Sequence, residues 1–185
     1  MTRPALLVDR DGVINADSPG YIRGPAEWIP IPGSIEALAR ISQAGWLVGV
    51  CTNQSGLARG LITADDLEAI HDELKARVSA LGGRIDGIFV CPHAPDADCA
   101  CRKPRPGLLA QAADTLGLNL GATTLVGDSP RDLAAARTAG ARPILVRTGH
   151  GIATEESESD DGLLVYADLA AAVAGLLAEV PGRSP

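Results

Sequence analysis

Short apolar runs rich in β-branched residues alternate along this chain with longer stretches of helical periodicity, and this alternation limits the folds open to it. It is typical of a parallel β-sheet covered by helices. The runs predicted to be strands are Ala5–Val8, Trp46–Cys51, Gly87–Cys91, Thr124–Val126 and Pro143–Val146. We therefore expect an α/β fold.

Apolar residues at helical spacing lie between these runs. They recur over 35–41 and, more clearly, over 67–81, where Thr63 is the expected N-cap. No internal repeat interrupts the pattern, and residues 1–185 are expected to form a single domain. Further helices are expected over 107–116, 130–139 and 168–178.

Residues 154–161, with the sequence TEESESDD, are polar and acidic and show no apolar period. They are predicted to be a solvated loop before a short strand in LLVY. His71 and His150 have no partners at metal-ligand spacing, so both are predicted to be surface or loop residues. Trp28 and Trp46 are predicted to be packing residues.

Charge and composition exclude several classes of partner. The 185 residues carry a formal net charge of -7, and their basic residues are scattered along the sequence. The sequence therefore has no cluster of basic residues of the kind that binds a nucleic-acid backbone. The N-terminus has an apolar run of only four residues before its first acid, and no stretch is apolar enough to span a membrane. We expect a monomeric cytoplasmic protein that binds neither nucleic acid nor membranes.

Polar motifs follow three of the predicted strands: DRDGV after the first, TNQSG after the second and GDSPRD after the fourth. In open α/β sheets, ligands bind outside the carboxyl ends of the strands. A single aspartate at such a position is more often a helix cap or a turn residue, but the joint pattern indicates a site. Its candidate side chains are four carboxylates and a hydroxyl, those of Asp9, Asp11, Asp128, Asp132 and Thr52.

These side chains suit magnesium and a phosphate group. Mg²⁺ usually takes one or two carboxylates and fills its other positions with water and phosphate oxygens, a role that fits Asp9 and Asp128. Gly12 allows the chain to turn beyond the first strand, which brings both Asp9 and Asp11 toward one phosphate. One of the two would attack phosphorus while the other handles protons.

Three cysteines and a histidine crowd into residues 91–101. Three thiolates and one imidazole complete a tetrahedral zinc set with no open position, so this zinc is expected to be structural; incidental buried thiols are the alternative. Cys51 lies in an apolar strand and is predicted to be a core residue. The predicted zinc ligands are Cys91, His93, Cys99 and Cys101.

The motifs DRDGV, TNQSG, CRKPRPG and GDSPRD resemble the four motifs of the haloacid dehalogenase (HAD) superfamily, in the same order. Within that superfamily the chain is similar to the D-glycero-D-manno-heptose-1,7-bisphosphate 7-phosphatases and to the histidinol-phosphate phosphatases. The resemblance covers nearly the whole chain. It implies a Rossmann-like parallel sheet with helices on both faces, no large cap domain, and a short zinc-binding loop inserted at 91–101.

The resemblance also implies catalytic roles. Asp9 would be the nucleophile and Asp11 the general acid and base. Asp9, the Asp11 carbonyl group and Asp128 would hold Mg²⁺. Asp132 would contact the water molecules on the ion rather than the ion itself.

Two further side chains would stabilise the transferring phosphoryl group, Thr52 through a hydrogen bond and Lys103 through its charge. A lysine is more often a solvated surface charge, but Lys103 lies between the cysteine-rich segment and a proline-rich turn that limits the backbone. The same Cys-x-His and Cys-x-Cys ligands precede Arg-Lys-Pro in the heptose-bisphosphate phosphatases. Some of those enzymes have lysine where this chain has Ser129, and Arg131 is the candidate to replace its phosphate contact.

Arg102 resembles the residue with which the family recognises substrate, since arginine can bind the remaining phosphate with two hydrogen bonds. Loop residues beside the nucleophile are expected to contact sugar hydroxyl groups. The predicted substrate-binding residues are Asp17, Gly20, Tyr21, Asn53, Gln54, Ser55 and Arg102.

The function implied is Mg²⁺-dependent hydrolysis of the 7-phosphate of D-glycero-β-D-manno-heptose 1,7-bisphosphate through an aspartyl-phosphate. That reaction belongs to the synthesis of ADP-heptose and lipopolysaccharide core precursors. The alternatives are a histidinol-phosphate or other small sugar-phosphate phosphatase and, in another class, a zinc protein that binds phosphorylated ligands without turnover. The pair Asp9 and Asp11 argues against a pure binding module, which needs neither a nucleophile nor an acid.

Overall fold

The structure, a computed structural model, describes residues 3–179. Within them, six strands form one parallel sheet. The strands are β1 (Ala5–Val8), β2 (Leu47–Asn53), β3 (Gly87–Cys91), β4 (Thr123–Gly127), β5 (Arg142–Val146) and β6 (Leu164–Tyr166). Their order is β3-β2-β1-β4-β5-β6, which places β1 inside the sheet between β2 and β4.

Helices connect these strands and confirm the predicted alternation. Short 3₁₀ turns occur at Pro25–Glu27 and Leu120–Ala122. The α-helices of the described region are α1 (Ser34–Gln43), α2 (Ala64–Ala80), α3 (Gly107–Leu116), α4 (Pro130–Ala139), α5 (Gly151–Ser157) and α6 (Leu169–Ala178).

The sheet has a hydrophobic core on each face. In β1, Leu6 and Val8 lie in the core formed with α1, α2 and α6, whereas Leu7 lies in the core formed with α3 and α4. Successive side chains of a strand point to opposite faces, so a buried central strand is apolar throughout. The predicted α/β fold with helices on both faces is confirmed.

Helix starts and strand ends follow local chemistry. The Thr63 hydroxyl accepts a hydrogen bond from the Asp66 N–H, which confirms the predicted N-cap of α2. Strand β2 continues past the predicted end at Cys51, because Thr52 and Asn53 pair with the last two residues of β3. Trp28, Trp46 and Cys51 are buried in the cores, as predicted.

Two long connections leave the carboxyl ends of the strands. The segment after β1 spans 9–33 and the segment after β3 spans 92–106, and neither contains a helix longer than a 3₁₀ turn. The part of the chain that the structure describes therefore has no large cap domain. No helix in residues 3–179 combines the length and the apolar character needed to cross a membrane.

The predicted loop at 154–161 is wrong over its first half, because α5 continues to Ser157. Thr154 is buried, and its Oγ1 donates a hydrogen bond to the Asp128 carbonyl oxygen at 2.8 Å. This tertiary contact anchors a polar segment that has no apolar period of its own. After the helix, Glu158 and Asp160 form ion pairs with Arg137.

We expect Thr154→Val to lower the free energy of unfolding by about 1–3 kcal/mol, because it leaves a buried carbonyl group without a donor at constant side-chain shape. Urea denaturation measures this change. Glu156→Ala, at an exposed position of the same helix, is the matched control. Equal effects of the two substitutions would show that the Thr154 contact does not anchor α5.

Candidate active site

The carboxyl ends of β1, β2 and β4 meet at one edge of the sheet. Val8 of β1 is in register with Val50 of β2 and Val126 of β4, and the Asp9 N–H donates to the Val126 carbonyl at 2.9 Å. The residues that follow these strands therefore lie side by side. They line a cavity of about 160 Å³.

The cavity brings together most of the predicted site residues. Gly20 is the one predicted substrate-binding residue that does not line it; its N–H donates to the Ser18 hydroxyl in an exposed turn. The predicted residues in the lining are Asp9, Asp11, Asp17, Tyr21, Thr52, Asn53, Gln54, Ser55, Arg102, Lys103, Asp128 and Asp132.

Three carboxylates crowd at the base of the cavity. Oxygen atoms of Asp9, Asp128 and Asp132 lie within 4.8 Å of one another. Burial raises the pKa of Asp9 to about 8; Lys103 opposes this shift, and the charges of Asp132 and Asp128 add to it. Burial likewise raises the pKa of Asp128 to about 6. A divalent cation would relieve this cost, and hard carboxylate oxygens are the ligands that Mg²⁺ prefers, so these residues fit Mg²⁺.

Lys103 is buried beside this cluster. Its Nζ lies 2.9 Å from Asp9 Oδ1 and 2.7 Å from Asp132 Oδ1, and it donates to the Cys51 carbonyl oxygen at 2.7 Å. Burial opposes the charge of Lys103, but the two carboxylates outweigh it and raise the lysine pKa. The side chain of Asn53 donates to and accepts from the Lys103 backbone, with both distances 3.1 Å, so Asn53 fixes the lysine as well as lining the cavity.

Asp132 has partners on both oxygens. Oδ1 pairs with Lys103, and Oδ2 accepts from the backbone N–H and the hydroxyl of Ser129 at 3.1 and 2.6 Å. Ser129 is thereby the N-cap of α4, with Asp132 completing a capping box. That Asp132 contacts the water molecules on the ion rather than the ion itself stays a prediction.

Asp11 is held by donors from three residues. Its Oδ1 accepts from Arg10 Nε at 3.0 Å and from Asn15 Nδ2 at 2.9 Å. Its Oδ2 accepts from Arg10 Nη2 at 3.1 Å and from Gln54 Nε2 at 2.8 Å. Gln54 Nε2 also lies 2.8 Å from the Thr52 hydroxyl, so this amide links the two predicted catalytic side chains.

The Asp17–Tyr21 segment closes one side of the cavity. Asp17 Oδ2 lies 3.1 Å from His150 Nε2, and the Tyr21 hydroxyl lies 3.4 Å from the Ser55 hydroxyl. The backbone N–H of His150 donates to Asp128 Oδ2 at 2.8 Å. His150 is thus in a loop, as predicted, but that loop forms part of the site.

Two glycines form the wall around Asp128. Gly12 and Gly149 have positive φ angles of 83° and 58°. A Cβ atom at either position would collide with Asp128 Oδ2. The backbone must approach the carboxylate at these points, and only glycine allows it.

The four predicted zinc ligands form a second cluster beside the cavity. Cys91 Sγ lies 3.8 Å from Cys99 Sγ and 3.6 Å from His93 Nδ1, and His93 Nδ1 lies 3.2 Å from Cys101 Sγ. A tetrahedral site with zinc–sulfur bonds of about 2.3 Å has sulfur atoms about 3.8 Å apart. Burial and the neighbouring sulfur atoms raise the pKa of Cys101 to about 12, a cost that a bound cation removes. The donor set fits zinc.

This cluster leads directly into the basic pair. Arg102 Nη1 donates to the His93 carbonyl oxygen at 3.3 Å, and Lys103 follows in the buried position already described. Arg105 donates to the Cys99 carbonyl oxygen at 2.6 Å. The cysteine-rich loop therefore sets the position of both predicted basic residues.

Comparison with known proteins agrees with this geometry. Residues 100–172 match the family model described as HAD-hydrolase-like. The D-glycero-β-D-manno-heptose-1,7-bisphosphate 7-phosphatase of Pseudomonas aeruginosa is 51% identical over 177 residues, covering 96% of this chain and 99% of that protein. The chain belongs to this family of HAD-like phosphatases. The enzyme of the same name from Bordetella bronchiseptica is 48% identical over 175 residues, covering 94% of this chain and 98% of that protein.

Solved structures give the same result for this HAD-like phosphatase. The crystal structure of D,D-heptose 1,7-bisphosphate phosphatase from B. bronchiseptica, complexed with magnesium and phosphate, matches with a TM-score of 0.91 at 48% identity, covering 95% of this chain and 99% of that chain. The corresponding enzyme from Burkholderia thailandensis has a TM-score of 0.74 at 36% identity, covering 96% of this chain and 100% of that one. The chain is therefore a phosphoric monoester hydrolase, and a binding module without turnover is set aside.

Two residues near the site were missed or misjudged from the sequence. Arg10 was given no role, yet its side chain is 1% exposed and binds Asp11. His71 was predicted to be a surface or loop residue, but it is buried in α2 and contacts Arg10 Nη1 at 3.3 Å. For Arg10, the one signal in the sequence is its position between the two aspartates. For His71, nothing in the local sequence of α2 predicts a contact with Arg10.

We expect Cys99→Ser to lower bound zinc well below one equivalent per chain and to lower Tm by at least about 5 °C, because a serine hydroxyl is a much weaker zinc ligand than a thiolate. Metal analysis and thermal unfolding measure the two effects. Cys51→Ala is the control, since this buried thiol lies outside the cluster and its loss leaves zinc binding intact. Absence of zinc from wild-type protein purified without chelator would contradict the assignment.

Proposed function

We propose that this HAD-like phosphatase hydrolyses the 7-phosphate of D-glycero-β-D-manno-heptose 1,7-bisphosphate, as the names of its relatives state for those enzymes. The observation that carries the proposal is the meeting of Asp9, Asp11 and Lys103 with the carboxylate cluster in one cavity. We also propose that it acts in the cytoplasm as a monomer, in the supply of ADP-heptose for lipopolysaccharide precursors.

Asp9 is the proposed nucleophile. Its Oδ1 accepts from the Arg10 N–H at 2.8 Å and lies 2.9 Å from Lys103 Nζ, so these two donors orient the carboxylate through one oxygen. The other oxygen, Oδ2, remains for attack. As its bond to phosphorus forms, the bond from phosphorus to the sugar oxygen breaks and leaves an aspartyl-phosphate.

Asp11 is the proposed general acid and base. In the first step its proton passes to the departing sugar oxygen, which is a poor leaving group without it. In the second step Asp11 takes a proton from the attacking water molecule. The bond between Asp9 and phosphorus then breaks, which releases inorganic phosphate and restores both carboxyl groups.

Charge compensation in this reaction falls mainly to Lys103 and the cation site. Lys103 reaches Asp9 from a fixed, buried position, so it costs little reorganisation when negative charge moves onto the phosphoryl oxygens. The Thr52 hydroxyl is the proposed donor to one of these oxygens. Mg²⁺ held by Asp9, the Asp11 carbonyl group and Asp128 would supply further positive charge there.

Substrate selection is assigned to Arg102 and to residues of the loop after β1 that line the cavity. The Arg102 side chain has one described hydrogen bond, from Nη1 to a backbone carbonyl, which leaves the rest of its guanidinium group for the phosphate that stays on the product. Asp17 and Tyr21 also line the cavity, and the sugar hydroxyl groups would bind to them. Ser55 beside Tyr21 completes this part of the lining.

We expect the wild-type enzyme to have a higher kcat/KM for the heptose bisphosphate than for histidinol phosphate.

Arg102→Ala should lower kcat/KM for the bisphosphate by about 10–100-fold, because a charge-assisted contact to the second phosphate is lost. It should leave p-nitrophenyl phosphate almost unaffected, since that substrate has no second phosphate. Arg40→Ala, on the exposed side of α1, is the control. A preference for histidinol phosphate would replace the proposed substrate, and equal losses would place Arg102 at the transferring group.

We expect Asp9→Asn to abolish turnover of every substrate, because no aspartyl-phosphate can form. Asp11→Asn should lower the rate of sugar-phosphate hydrolysis by roughly 10²–10⁴-fold. With p-nitrophenyl phosphate, whose leaving group needs no proton, Asp11→Asn should release a burst of nitrophenol approaching one per active site and then turn over slowly. Rapid-quench kinetics measure the burst. Equal losses on both substrates without a burst would remove the acid and base role from Asp11.

A further inference from the structure

Arg10 is a buried arginine that none of the proposed chemical steps uses. Its side chain is 1% exposed, a position that costs several kcal/mol for a charge without compensation. The compensating carboxylate is the next residue, Asp11. Arg10 Nε donates to Asp11 Oδ1 at 3.0 Å and Nη2 donates to Oδ2 at 3.1 Å, with Nη2 also 3.0 Å from Oδ1, so two nitrogens of the guanidinium group contact both carboxylate oxygens. A bidentate fork fixes the plane of a carboxyl group as well as its position.

The third nitrogen of the same guanidinium contacts His71 on α2. Arg10 Nη1 lies 3.3 Å from His71 Nε2. A guanidinium group can only donate, so Nε2 must accept and the imidazole must be neutral, with its proton on Nδ1. Burial, followed by the charge of Arg10, lowers the pKa of His71 to about 4, which agrees with a neutral ring. Arg10 thus lies between a helix of the scaffold and Asp11.

The backbone of Arg10 also forms hydrogen bonds next to the two aspartates. Its N–H donates to Asp9 Oδ1 at 2.8 Å, and its carbonyl oxygen accepts from Ile14 N–H at 2.8 Å in the turn that follows. One residue therefore orients both aspartates, one through its backbone and the other through its side chain. A lysine could supply the charge but not two parallel donors.

We propose that Arg10 is a positioning residue that fixes the Asp11 carboxyl group for proton transfer to the leaving oxygen, and that His71 sets the position of Arg10. The proposal rests on the acid and base role proposed above for Asp11. Asn15 and Gln54 each add one donor to the same carboxylate, but both are neutral and monodentate. Arg10 supplies the only charged donor to Asp11 among the described contacts.

The test separates positioning from general stability by using leaving groups of different acidity. The rate of the first turnover is measured with a series of phosphate monoesters, from p-nitrophenyl phosphate to simple alkyl phosphates. His71→Leu removes the acceptor, whereas His71→Gln keeps one. Arg10→Lys keeps the charge without the fork. Glu68→Gln, on the exposed side of α2, is the matched control.

We expect His71→Leu to lower the first-turnover rate on the alkyl esters about tenfold and to leave the rate on the nitrophenyl ester unchanged. Arg10→Lys should lower the rate on the alkyl esters about 10²-fold. His71→Gln should recover most of the alkyl-ester rate. The logarithm of the rate should therefore depend more steeply on leaving-group pKa in the two impaired variants than in the wild type.

An equal loss along the whole series, or a loss that follows Tm without recovery in His71→Gln, would assign both residues to stability alone and overturn the proposal. The series does not depend on the natural substrate. Failure of the wild type on the heptose bisphosphate would contradict the proposed function and leave this test intact.

Discussion

The ammonium group of Lys103 lies between the carboxylates of Asp9 and Asp132, out of contact with bulk water. Without that charge, the three clustered carboxylates would repel one another in a site where burial already disfavours ionisation. With it, the positive charge of Lys103, in the loop after β3, is shared between Asp9, which follows β1, and Asp132 of α4. The geometry of the site depends on this shared charge, because each partner is fixed through it.

The position of Lys103 is in turn set by its surroundings. Asn53 holds its backbone through two hydrogen bonds at the end of β2, and Asn53 is paired in the sheet with Cys91 of β3. Cys91 belongs to the cysteine and histidine cluster. The cysteine and histidine cluster and Lys103 are therefore two ends of one short covalent and hydrogen-bonded path. A metal bound to this cluster would help to fix the position of Lys103.

Much of the fold was predictable because its signals are local. Apolar β-branched runs identified the strands, and the bounds of β3 and α4 were predicted correctly. The helix α5 was not, because its burial depends on Thr154 reaching the Asp128 carbonyl group from a distant part of the chain. Periodicity reports only which residues of one segment are apolar. A polar segment fixed by a single tertiary hydrogen bond has no such signature.

In the site, too, local signals were predictable and tertiary contacts were not. The motifs placed Asp9, Thr52 and Asp128 together, since residues at the ends of neighbouring parallel strands converge wherever the sheet forms. They could not show that His71 contacts Arg10, because His71 lies in a helix whose sequence carries no sign of that contact. Gly20, a predicted substrate-binding residue next to Tyr21, lies outside the cavity lining, where its N–H donates to the Ser18 hydroxyl.

The wall around Asp128 has a consequence for how this scaffold can diversify. The backbone of Gly12 and Gly149 packs against the Asp128 carboxylate, with no side chain to exchange. Substitution there would displace the carboxylate instead of reshaping the pocket. New substrate preferences are therefore expected where exchangeable side chains line the cavity, at positions such as Tyr21 and Arg102. The chemistry and the choice of substrate can then change independently, within one small protein.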